Sequence, residues 1–261
     1  MNSHFSKLEL LCEQYICTVL LKAPPLNIIT RQLLDELDEA FRLLEQESEL
    51  RVVVIGSALP NMFSAGADIK AFTSWTGESG RDACLHGSNV FQRIARFPKP
   101  VVCAVSGNAF GGGLELAMAC DIRIFDENIW VSLPECSLGM QPGYGGTQRA
   151  PRLMGPSFAK RMMFTGEAID AKTALRVGLA DETAPAGKCL QTAQDMAHTI
   201  AQRAPMAVAQ IKKSVTYAMD HPLERGLSFE NRGIALLCDT QDKQEGAAAF
   251  VQKRAPVFHG I

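Results

Sequence analysis

The chain reads as short apolar blocks in its first half and as longer helical patterns towards its end. KLELLCEQ (residues 7–14) and YICTVLL (15–21) alternate or carry β-branched residues, and a polar break divides them, so they predict a starting hairpin. APPLN (23–27) interrupts the pattern, because proline blocks both a ladder and a helix. Thr30 is placed to cap the next helix, on which Leu33, Leu34, Leu37, Phe41 and Leu44 share one face. RVVVIGS (51–57) predicts a buried strand, FSAGADIK (63–70) a glycine-bearing loop and turn capped by Asp68, and roughly Arg81 to Arg96 a helix. PVVCAVSG (100–107) is a second buried strand, with Pro100 at its edge. DIRIF (121–125) and WVSL (130–133) are further strands, and PECSLGMQPGYGGTQR (134–149) is a long glycine-rich loop. From about Pro156 the pattern is mostly helical, and the segment beginning RAPMAVAQIKKSV (203–215) reads either as an appendage that packs on another subunit or as part of the same core. Strand–helix alternation predicts an α/β fold.

One stretch carries chemistry. In FGGGLELAMACD (110–121), three glycines open a run of apolar residues that contains a single carboxylate, Glu115. A glycine triplet after a strand lets the backbone approach a ligand and expose its N–H groups. If a helix starts near Gly112, those amides suit a developing oxyanion, and Glu115 falls in its first turn. An acid there also simply complements the helix dipole. Yet a capping box needs Ser or Thr three residues earlier, and Gly112 occupies that place. Apolar neighbours imply burial, and a buried Glu with a raised pKa can carry a proton near neutral pH. Glu135, after Pro134, is a second candidate, although Pro-Glu is also a common helix start. Two carboxylates in one apolar pocket would supply a base and an acid for adding or removing water. Spacing alone does not bring them together.

Composition narrows the classes. The 261 residues suffice for one large domain and a sizeable core. A net charge of −2 gives no overall pull towards nucleic acid or an anionic membrane. The N-terminal MNSHFSKLELLCEQ has no signal-peptide core, and no apolar run reaches membrane-spanning length, so a soluble, cytoplasmic protein is expected. The eight cysteines form no C-x-x-C pair and read as small buried hydrophobes in a reducing compartment. The five histidines show no zinc-type spacing, so no metal is expected. GMQPGYGGTQR (139–149) is neither a Walker loop nor a dinucleotide fingerprint, and G-x-S-x-G is absent.

The ordered set FSAGADIK, KPVVCAVSGNAFGGGLELAMACD, LPECSLGMQPGYGGTQR, FTGEAIDAKTALRVGLAD and EGAAAFVQKRAPVFHG closely resembles the enoyl-CoA hydratase/isomerase (crotonase) superfamily, from about Pro24 to Gly260. The resemblance implies a spiral of β-β-α turns over residues 1–204. It further implies a C-terminal helical region, 205–261, that builds trimers, usually paired into hexamers. It implies an acyl-CoA thioester as substrate, with coenzyme A part of that substrate and no separate cofactor. By motif position the oxyanion hole is formed by the amides of Ala67 and Gly112, and the two catalytic glutamates of hydratases fall on Glu115 and Glu135. The substrate-contacting positions it implies are Ala65, Ala67, Asp68, Ile69, Lys70, Gly111, Pro134 and Gly143. The activity it implies is reversible addition of water to a 2-enoyl-CoA.

Departures from the family pattern bear on the acyl group. KAPPLNII (22–29) differs from the commoner RP-x-x-N-A-L type, Asn108 stands where an aromatic residue is frequent, and Tyr144 stands where Ala or Gly is frequent. A short 2-enoyl chain is the resulting expectation. The same fold also serves isomerases and pathway-specific dehydratases. An RNA-binding relative has a lysine-rich helix early in its chain. Here RQLLDELDEAFRLLEQESELR (31–51) carries an acidic excess, which argues against phosphate contacts. A catalytically dead scaffold is disfavoured by the presence of both glutamates and the glycine triplet.

Overall fold

The computed structural model describes residues 5–261; Met1–His4, at the head of the stretch read for a leader, lie outside them. The expected hairpin forms from β1 (Leu8–Glu13) and β2 (Ile16–Leu21), paired antiparallel with Leu8 opposite Leu21 and Glu13 opposite Ile16. Thr30 caps α1 (Arg31–Gln46) by accepting a hydrogen bond from the Leu33 amide. The face carrying Leu33, Leu34, Leu37, Phe41 and Leu44 is buried. Each such side chain contributes about 1.5–3 kcal/mol of transfer free energy.

Three strand pairs follow: β3 (Val52–Ser57) with β4 (Asn61–Ser64), β5 (Val101–Val105) with β6 (Gly107–Phe110), and β7 (Ile122–Asp126) with β8 (Trp130–Ser132). Two short strands, β9 (Ile169–Asp170) and β10 (Glu182–Ala184), complete the set. The first member of each pair enters a six-stranded sheet ordered β1-β2-β3-β5-β7-β10, and the second enters a four-stranded sheet ordered β4-β6-β8-β9. Successive turns of the chain therefore stack, and every turn passes from one sheet to the other. This is the expected spiral. Within β3 and β5 the side chains alternate between two cores. Val53, Ile55, Val101 and Cys103 face the main core, whereas Val52, Val54, Val102 and Ala104 pack against Ala193 and Ala197 of α8 (Cys189–Ala201). Both faces of the large sheet are covered, which is why its strands read as unbroken apolar runs.

Several expectations change. The helix placed at about residue 81 is α3, Gly77–Ala95; it starts earlier because Thr76 and Ser79 form a reciprocal capping box. Phe63 and Ser64 belong to β4 rather than to a loop, and α2 (Ile69–Phe72), capped by Asp68, is a single turn. The glycine-rich segment contains a 3-10 turn at Glu135–Leu138 and the start of α5 (Gly146–Met154). Cys12 and Cys17 are not isolated hydrophobes. The hairpin register sets them directly opposite and they are disulfide-bonded, a pairing that depends on turn length and not on their spacing alone. Cys136 and Cys238 are exposed, while Cys103, Cys120 and Cys189 are buried as expected. After α6 (Pro156–Thr165) and α7 (Ala171–Val177), the chain ends in α9 (Pro205–Ala218), α10 (Leu223–Cys238) and α11 (Gln241–Gln252). These last helices do not join the core: Ile211, Val215, Leu223, Leu236, Phe250 and Val251 are exposed.

Candidate active site

Two loops meet where the sheets hand the chain over to helices. The first follows β4. Its course is fixed by Asn27, a fully buried side chain whose Oδ1 accepts from the Ala23 amide and whose Nδ2 donates to Phe63 O and Ser57 Oγ. Ser64 Oγ donates to Asn27 O, the Ala65 amide to Leu26 O, and the Ile29 amide to Gly66 O. The proline-bearing segment is thus stitched to the loop that ends in Ala67.

The second loop follows β6. Gly111 donates to Ser132 O of β8 and has φ +50°, which aims the chain into α4 (Gly112–Met118). A Cβ at Gly111 would stand 2.7 Å from Glu135 Oε1, so both the backbone angle and the neighbouring carboxylate require glycine. At Gly66, where φ is +94°, a Cβ would stand 2.7 Å from Phe110 O and 3.3 Å from the Gly112 nitrogen. The two loops therefore touch through a residue with no side chain. Neither the Ala67 amide nor the Gly112 amide finds an acceptor among the described residues. The two acceptorless donors belong to loops in direct contact, an arrangement suited to a carbonyl oxygen that gains charge.

Glu115 lies one turn into α4 and is 2% exposed. Its Oε1 accepts from the Tyr144 amide at 2.8 Å and from the Gly146 amide at 2.7 Å. Burial pushes its carboxyl up to about 7; the Gly146 hydrogen bond opposes this, and the neighbouring Glu135 charge adds to it. Glu135 opens the 3-10 turn after Pro134, and burial raises its carboxyl too. Its Oε2 is buried without a hydrogen-bond partner. Such an oxygen is costly to leave alone and is ready to bind a small polar molecule.

The structure brings together the glutamates that spacing left apart. Ala65, Ala67, Asp68, Ile69 and Lys70 line a cleft of about 450 Å³, with Pro24, Pro25, Leu26, Ile28 and Lys7 opposite. Gly111 and Pro134 sit at the carboxylates, and Gly143 packs on Cys84, where a Cβ would approach Sγ to 2.6 Å. Asn108 lines neither of the two cavities that Ala67 borders. Its Oδ1 accepts from the Trp130 amide, so it joins strands instead. Arg149 is tied to Tyr144 O and Gln92. The amides of Tyr144 and Gly146 were not foreseen from the sequence. Main-chain donors carry no residue-type signal, and only the glycine-rich character of their loop hinted at them.

The profile of the enoyl-CoA hydratase/isomerase family matches residues 12–260, and the chain belongs to that family. It is 37% identical to a short-chain-enoyl-CoA hydratase of Clostridium acetobutylicum over 88% of each chain. It is 35% identical to a crotonyl-CoA hydratase of Syntrophomonas wolfei, covering 89% of this chain and 90% of the relative. The solved structure of an enoyl-CoA hydratase from Bacillus anthracis superposes with a TM-score of 0.94 at 32% identity, over 98% of this chain and all of that one. The spiral architecture is thus the fold of this family.

Proposed function

We propose that the protein is an enoyl-CoA hydratase that adds water reversibly across the 2,3 double bond of a 2-enoyl-CoA. The amides of Ala67 and Gly112 hold the thioester oxygen, which draws electron density from the double bond and opens the β-carbon to attack. Glu115 and Glu135 hold the attacking water. One takes its proton as the oxygen bonds to the β-carbon, and the other delivers a proton to the α-carbon. The observation that carries this reading is the juxtaposition of two acceptorless amides with two carboxylates of raised proton affinity, Glu115 buried and Glu135 half-buried. The cleft along Ala65–Lys70 receives the coenzyme A portion, and Lys7 and Lys70 offer it cations.

Residues 205–261 form the self-association region in this reading. The exposed apolar side chains of α9, α10 and α11 support it, since isolated chains seldom leave so many uncovered. No helix among the described residues is long and apolar enough to cross a membrane.

The test is turnover of crotonyl-CoA, followed as loss of the conjugated thioester absorbance, beside a 3-enoyl-CoA offered as an isomerase substrate. Hydration that collapses in both Glu115→Gln and Glu135→Gln, with thioester binding retained, is the expected result. Conversion of the 3-enoyl-CoA without hydration of crotonyl-CoA would replace the reading with the isomerase.

A further inference from the structure

Tyr144 touches the site twice. Its amide holds Glu115. Tyr144 also lines a cavity of about 310 Å³, together with Ile29, Leu34, Ala67, Phe72 and Trp75; the cavity thus reaches the Ala67 loop, while neither Glu115 nor Glu135 lines it. Both edges of the ring are bracketed. A Cβ on Gly112 would stand 3.1 Å from Cδ2 and 3.2 Å from Cε2, and a Cβ on Gly87 of α3 would overlap the opposite edge. Phe91, one helical turn beyond Gly87, meets the ring edge-on with centroids 5.4 Å apart. A ring packed on both edges does not pivot unless a helix moves.

We propose that Tyr144 is the end wall of the acyl site, that Gly87 is the notch admitting its ring, and that the pair restricts the acyl group to short 2-enoyl chains. This rests on the hydratase reading above. With the thioester oxygen on the Ala67 and Gly112 amides and the double bond at the carboxylates, carbons beyond the fourth run towards the ring. The apolar cavity that Tyr144 lines would receive a longer chain, and the wedged ring narrows the way into it. A small side chain at 144 keeps the amide that holds Glu115 and widens that way.

The experiment measures kcat/KM for 2-butenoyl-, 2-hexenoyl- and 2-octenoyl-CoA in the parent, Tyr144→Ala and Tyr144→Phe. Each methylene newly accommodated in an apolar pocket is worth about 10-fold or more in kcat/KM. The octenoyl-to-butenoyl ratio should therefore rise at least about tenfold in Tyr144→Ala, chiefly through KM, and stay at the parent value in Tyr144→Phe, which keeps the wall. An unchanged ratio in Tyr144→Ala, or the same shift in both variants, overturns the proposal.

Thermal unfolding supplies a second measurement that needs no turnover. Gly87→Ala should lower Tm when the ring is present. In the Tyr144→Ala background it should raise Tm, because alanine is the better helix residue once the overlap is gone. The same sign in both backgrounds ends the case for the notch. A parent protein inactive on all three thioesters, with the sign reversal intact, would refute the hydratase reading and leave the packing of this pair standing.

Discussion

Glu115 and Glu135 lie close enough for their charges to interact, but the protein holds them differently. Glu115 projects from an α-helix, is buried, and has one oxygen fixed by two amides from the glycine-rich loop. Glu135 sits on a 3-10 turn, touches Gly111, and keeps one buried oxygen without a partner. The first is a positioned group whose proton affinity is balanced between burial and hydrogen bonds. The second is an open acceptor that a water molecule would complete. A pair that must hand one proton in and another out benefits from this asymmetry, because two identically placed carboxylates would compete for the same state.

The largest effect should come from removing either charge. Glu115→Gln and Glu135→Gln are each expected to lower kcat for crotonyl-CoA by about 10²–10⁴-fold, the range for a lost general acid or base. Thioester affinity should change little, since the amides and the coenzyme A cleft remain. Near-parental turnover in either variant would remove that glutamate from the mechanism. If the two losses multiply in the double variant, the carboxylates act independently; if the double variant is no worse than the singles, they act as one unit.

A smaller effect should follow from moving the carboxylates without removing them. In Gly146→Ala a Cβ would stand 2.9 Å from Glu115 Oε1, displacing that side chain from its two amides, and 2.8 Å from Pro142 Cβ. In Gly111→Ala the Cβ presses on Glu135 and the residue must also hold φ +50°. Misplacement of a reacting group by about 1 Å costs about 10²-fold. Gly146→Ala should lower kcat by that order with a smaller loss of Tm than Gly111→Ala, because its backbone needs no positive φ. Gly111→Ala should lose both kcat and Tm. Equal Tm losses would show that the Glu115 loop is as strained as the Glu135 turn, contrary to the comparison.

The sequence made half of this asymmetry legible. Glu115 stood out because a lone carboxylate in an apolar run after three glycines breaks the rule that buried charge is avoided. The face of α1 and the strands β2, β3 and β5 were equally plain, since burial on one or both sides leaves a periodic or unbroken apolar pattern. What failed to show was short or made of backbone. Strand β9 has two residues and β6 has four, with Gly107 and Asn108 among them. The partners of Glu115 are main-chain amides, and Cys12 faces Cys17 only because of hairpin register. Asn27 carries no such signal within APPLN, although it ties the loop ending in Ala67 in place. A buried asparagine satisfying four groups differs from a turn asparagine only in its surroundings.

The smallest expected effect separates the two carboxylates by their cost to stability. Burial raises Glu115 from the usual carboxylate value to about 7, so the folded protein binds a proton there that the unfolded chain has already released. Between the unfolded and folded values the native state carries more protons, and stability falls as pH rises. The favourable contribution is complete below the unfolded value and is lost as pH passes through about 7. From pH 5 to pH 8 the loss attributable to Glu115 should be about 2 kcal/mol. Glu115→Gln should abolish that slope, and so be more stable than the parent at pH 8 while nearly inactive. Glu135→Gln should change the slope in the same direction by less, because Glu135 is less deeply buried. Denaturant unfolding of the three proteins at both pH values decides it. A parent whose stability rises between pH 5 and pH 8 by as much as that of Glu115→Gln would mean that Glu115 is ionised and well solvated in the resting site, and that its hydrogen bonds outweigh its burial.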